Sequence, residues 1–170
     1  MSVSAKTLTR ERADLLETLA KHRHFLRYTA QGLTDEQAAA TPTTSALCVG
    51  GLIKHVALTE KSWMAFAVGG AAAMTGADGE TDWADGFRMT PGETVEGLLK
   101  EYEEVARRTD ELVATLDLDT AHALPEAPWF EQGATWSVRR VVLHVIAETS
   151  QHAGHADIIR ETLDGQRTMG

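Results

Sequence analysis

An all-α protein built as a four-helix bundle is the fold this sequence predicts, and three observations predict it. Four segments of roughly 20–28 residues carry apolar side chains at helical spacing. No run longer than four residues alternates apolar and polar as a half-buried strand would. Hydrophobic residues make up 43% of a 170-residue chain, enough to fill the centre of such a bundle. Residues 1–170 accordingly read as one domain.

The first helix spans about Thr9 to Gly32, with Leu15, Leu16, Leu19, Phe25 and Leu26 on its apolar side and Gly32 at its stop. "LTDEQAAATPTTSA" interrupts it with Pro42 and contains a short helical turn opening at Thr34–Asp35. The second long helix runs from Ser45 to about Val68 and holds Gly50 and Gly51, which make sense if another helix approaches closely there. The stretch 69–90 is rich in glycine and lacks a period, so it reads as an exposed loop of about 20 residues, a length often tied to function.

The third helix is predicted to start at Thr90, with Pro91 in the first helical position and Glu93 completing a capping box. Its stripe is Val95, Leu98, Leu99, Tyr102, Val105, Leu112, Val113 and Leu116. After a connection at 117–134 with two prolines, the fourth helix starts near Thr135 or Ser137 and stops at Gly165.

Charge removes several function classes. The chain has 25 acidic against 16 basic residues, a formal net charge of −9, which argues against nucleic acid and against an anionic membrane surface as partners. A single cysteine, Cys48, permits no intrachain disulfide and reads as an inert core thiol rather than a nucleophile. With no continuous apolar segment of membrane-spanning length, the expected location is the cytoplasm.

The segment "HVIAETSQHAGHADIIRE" (144–161) raises the question of a metal site. On a wheel with His144 at zero, Val138, Val141, Val145, Thr149, Ala156, Ile159 and Leu163 cluster at about 60–140°. His152 falls inside that stripe at about 80° and Glu148 on its shoulder at about 40°. His155 and His144 lie further out, near 20° and 0°, so His144 is expected to be half-solvated. In the second helix His55 shares a face with Cys48, Leu52, Val56, Thr59, Trp63 and Phe66. Residues four apart stack on one helix face, so Glu148 and His152 can meet one ion, with His55 as a third ligand and an open position left over. On spacing alone, a single inward histidine is more often a hydrogen-bonded core residue than a metal ligand. His22, His24 and His122 lie in polar surroundings and read as solvated or capping residues.

"HVIAETSQHAGHADIIRE", preceded by "TWSVRRVVL", resembles the last-helix signature of the DinB/YfiT-like superfamily. More narrowly it is similar to the mycothiol-type thiol S-transferase and mycothiol-dependent maleylpyruvate isomerase branches. The resemblance takes in "SALCVGGLIKHVALTEKSWM" and the helix order, and it is absent from residues 69–90 and 117–134. It implies a four-helix bundle holding one divalent metal on His55, Glu148 and His152, where many members carry His in place of Glu148. Zinc or nickel suits such a set best, and iron or manganese is compatible.

The resemblance also implies a small thiol such as mycothiol and a small electrophile as substrates, with His155 as a base or a partner to metal-bound water. Arg139 and Arg140 are candidate anchors for an anionic substrate group, or plain surface charge. Asp157 is a candidate to orient a ligand imidazole, and Arg160–Glu161 reads as a local pair. The expected activity is metal-dependent thiol S-transfer, in a protein for which a homodimer is plausible. The alternatives are hydrolysis by metal-bound water and metal or ligand binding without turnover.

Overall fold

The computed structural model describes residues 8–74 and 83–168. Four long helices form the bundle: α1 (Arg10–Tyr28), α3 (Val49–Gly69), α5 (Val95–Thr115) and α6 (Val138–Asp164). Two short helices, α2 (Asp35–Ala39) and α4 (Ala71–Met74), and a 3-10 turn at Trp83–Phe87 lie between them. Packing of α1 on α6, α6 on α3, α3 on α5 and α5 on α1 closes the ring of neighbours. No described helix is long and apolar enough to cross a membrane.

Capping chemistry sets the helix starts, and it moves two of them from their expected places. α3 begins at Val49 rather than Ser45, because Cys48 is extended and its sulfur accepts from the Gly51 N–H at 3.3 Å. The hydroxyls of Thr43 and Ser45 accept from Ser45 N–H and Leu47 N–H, which holds that stretch in turns instead of helix. Cys48 is buried as expected, but as a cap rather than inside the helix.

α5 begins at Val95 rather than at Pro91. Glu93 does reach back to the Thr90 N–H at 2.6 Å, yet Gly92 takes a left-handed φ of 91° and breaks the helix there. Thr94 is the N-cap, accepting from Gly97 N–H at 3.1 Å, and Asp35 of α2 accepts from Val95 N–H at 2.8 Å. The short helix opening at Thr34–Asp35 forms with a full capping box between Thr34 and Gln37. α6 starts after Ser137 and ends at left-handed Gly165, as its pattern requires. α1 ends at Tyr28, with Gly32 closing the turn that follows.

The connections carry more structure than their composition suggested. Within 69–90, Ala71–Met74 and Trp83–Phe87 are helical, and part of the expected loop lies outside the described residues. Gly50 and Gly51 do mark a close approach, but from this connection rather than from a helix. A Cβ on Gly51 would overlap the Phe87 carbonyl, and one on Gly50 would strike the Met89 side chain. Two three-residue strands, β1 (Ala121–Ala123) and β2 (Thr135–Ser137), pair antiparallel with His122 opposite Trp136. Strands this short leave no alternation to read.

The core is in two halves. One packs Leu26, Leu52, Ile53, Val56, Tyr102, Ala156 and Ile159, and the other Leu15, Leu19, Phe66, Val113, Val138, Val141 and Val145. Buried Arg23, Glu60, Thr109 and Thr149, one from each long helix, lie between the two sets in sequence. Arg23 donates to Glu60 at 2.5 and 3.2 Å and to Asp110 at 2.8 Å. Burial alone would pull the Arg23 proton affinity down, but the Glu60 and Asp110 carboxylates together more than offset it and keep the guanidinium charged.

Candidate metal centre

Hydrophobic pattern and helix pairing bring together the three residues singled out as ligands. His55 rides on α3, and Glu148 and His152 sit one turn apart on α6. One ligand atom from each lies within 4.8 Å of the others, the one such group of three among the described residues. Glu148 Oε2 is 3.5 Å from His152 Nε2 and 3.9 Å from His55 Nε2. A tetrahedral shell with 2.0–2.2 Å bonds spaces its donors by roughly 3.4 Å, so this set fits a divalent cation with small side-chain adjustments. Imidazole with carboxylate is also the donor chemistry such ions take.

His152 is buried, while His55 and Glu148 are half-buried. The two imidazoles, His152 first and then His55, hold the Glu148 carboxyl well below the usual carboxylate range, against the opposing effect of burial. Glu148 is therefore an anion, as a ligand must be.

The surroundings fix the rings. Phe87 stacks on His55 with centroids 3.8 Å apart and planes at 19°, and Thr59 Oγ1 lies 3.4 Å from His55 Nε2. His155 Nδ1 is 3.3 Å from His152 Nδ1, on the opposite side of that ring from the nitrogen facing Glu148. His155 thus stands behind a candidate ligand, where it can set the ring's tautomer and orientation. His144, expected at a half-solvated shoulder, sits 3.8 Å from the second Glu148 oxygen. It is half-buried between Trp63 and Trp136, at centroid distances of 4.9 and 5.1 Å, and burial lowers its pKa.

The other polar residues separate clearly. Arg139 is spent on Glu11 and Asp119. Arg140 stacks over Trp136, 4.4 Å from the ring centroid. Asp157 accepts from the Thr168 N–H at 2.7 Å and so ties down the C-terminal tail rather than a ligand imidazole. Arg160 does not pair with Glu161: it is buried, bonds Asp164, and donates to the Thr29 and Gln31 carbonyls at the end of α1. Glu161 pairs with Arg167 instead. His24 is exposed, His22 and His122 are half-buried, and the His122 ring packs edge-on against Phe66.

Phe87, Trp63 and Trp136 complete the site without having been singled out for it. Trp63 was legible, since it shares the His55 face. Phe87 was not, because only the paired glycines of α3 hint at the segment that carries it.

Fold and donor set together define an all-α helical bundle with a candidate three-ligand metal centre across two of its helices. The chain matches the Mycothiol-S-transferase family over residues 14–165 and belongs to that family, in the DinB/YfiT-like superfamily. No match was found among curated proteins.

Proposed function

We propose that the protein is a divalent-metal-dependent S-transferase that activates a low-molecular-weight thiol, mycothiol or a close analogue, for attack on a small electrophile. The observation carrying this reading is the convergence of His55, Glu148 and His152 donors within 4.8 Å, in a member of the Mycothiol-S-transferase family. A bound divalent cation would act as a Lewis acid toward the thiol sulfur, whose pKa near 8.5 otherwise leaves it mostly protonated at neutral pH.

The chain's own residues do the rest. His55 and His152 present Nε2, and Glu148 supplies the negative charge that favours a cation here. Phe87 covers one face of His55 and keeps water from it. His155 is a positioning residue that holds His152 from behind. In the transfer a carbon–sulfur bond forms, the leaving group departs with its electron pair, and the thiol proton passes to solvent.

Elemental analysis of wild-type, His55→Ala and Glu148→Ala proteins tests the centre. Stoichiometric metal is expected in the wild type alone, and equal metal in all three refutes the ligand assignment. Consumption of mycothiol with a generic electrophile should vanish with a chelator and in His152→Ala. Metal-dependent hydrolysis in the absence of thiol would refute the transferase reading and leave the centre standing.

A further inference from the structure

Arg140, His144, Glu148 and His152 follow one another at intervals of four residues along α6. Neighbours so spaced lie about 40° apart around the helix, so the four form an oblique row, and eight residues of helix place the Arg140 backbone about 12 Å along the axis from Glu148. Between the two ends lies a wall of rings. His144 contacts the Glu148 carboxylate, Trp63 and Trp136 flank His144, and Phe130 sits edge-on to both tryptophans at 6.4 and 5.8 Å.

Arg140 differs from its neighbour Arg139. The Arg139 donors are taken by Glu11 and Asp119, whereas Arg140 forms no ion pair among the described residues. Arg12 and Arg108 also form no ion pair among the described residues, so the distinguishing feature of Arg140 is its seat over the Trp136 ring. The Arg140 guanidinium lies over Trp136 while the residue remains exposed. Stacking uses the face of a guanidinium and leaves its N–H edge available, and that edge matches the two oxygens of a carboxylate. A stacked, unpaired guanidinium is also partly immobilised in advance, so less side-chain freedom is lost when an anion binds.

We propose that Arg140 binds the anionic end of the electrophilic substrate, an organic acid whose apolar body lies along Trp63, Phe130 and His144 toward the donor triad. This rests on the reading of that triad as the reacting centre. It restricts the electrophile to molecules carrying a carboxylate, or a group of like geometry, at the end away from the carbon attacked. A ring-lined wall suits an apolar body, and the acid at its far end sets the orientation.

Calorimetric titration of the purified full chain with 2-naphthoate and with neutral 2-naphthamide, before and after chelator treatment, tests the anion site without turnover. The acid is expected to bind about tenfold more tightly than the amide, with or without metal. Arg140→Met should abolish that preference and leave amide binding unchanged, while Arg139→Met should preserve it. Equal binding of both probes, a preference that survives Arg140→Met, or one that disappears with the metal would each overturn the proposal. Kinetics with mycothiol and 4-chloro-3,5-dinitrobenzoate then separates the two substrates. Arg140→Met should raise KM for the electrophile about tenfold and spare KM for the thiol. A rise confined to the thiol KM would overturn the assignment to the electrophile. Protein that keeps the naphthoate preference but consumes no thiol would refute the transferase reading alone.

Discussion

At the residue scale, the site depends on small facts about neighbours. Gly51 is a glycine because the Phe87 carbonyl occupies the space its Cβ would need, and that approach lays Phe87 on His55. Gly51→Ala is therefore expected to cost about 1–3 kcal/mol in urea unfolding, although alanine is the better helix former. A loss below about 0.5 kcal/mol would show that the 83–89 segment yields freely. His155→Ala should weaken metal binding about 10–100-fold, measured by competition with a chromophoric chelator, with the urea midpoint little changed. His55, Glu148 and His152 were legible because donor side chains on apolar helix faces stand out against a regular pattern. Phe87 was not, since its position comes from a contact between distant parts of the chain, and no periodicity in its own segment records it.

At the element scale, apolar stripes showed that the helices exist, while caps decided where they begin. The third long helix shows the difference. Its sequence offers two threonine starts four residues apart, Thr90 with Glu93 and Thr94 with Gly97, and both sets of hydrogen bonds form. The left-handed Gly92 between them leaves only Thr94 attached to continuous helix. Thr94→Ala should lower stability by about 1 kcal/mol in urea unfolding, and Thr90→Ala by less than about 0.5 kcal/mol. Equal losses would mean that the helix extends back to Thr90. The Asp35 carboxylate that also caps this helix lies 60 positions away in sequence, too far for any local pattern to reveal.

At the scale of the whole molecule, one candidate ligand lies on α3 and two on α6, so a bound cation would fasten these helices together. Added metal should raise the unfolding temperature, with a stabilisation of about 2.7 kcal/mol at one hundred times Kd. The shift should vanish in His55→Ala, and calorimetry reads both. The four-helix architecture was readable from amphipathic stripes, but the buried Arg23–Glu60 pair was not, because a charged residue in a stripe ordinarily marks its solvent edge. Arg23→Met leaves Glu60 buried without its main partner and is expected to cost about 3–5 kcal/mol, whereas Arg23→Met with Glu60→Met should recover most of it. An additive double variant in the same urea series would show that the pair is uncoupled.

That pair has a consequence for how the helices are set against one another. Sliding α3 by a single turn, about 5.4 Å, would carry Glu60 away from Arg23 and into one of the two apolar half-cores. Leucines alone would hold the same helices together while tolerating such slippage, so the charge pair works as an axial key for α3 against α1. His55 lies five residues before Glu60 on the same helix and inherits that setting. The height at which it meets Glu148 and His152 is governed by two side chains that belong to none of the ligands.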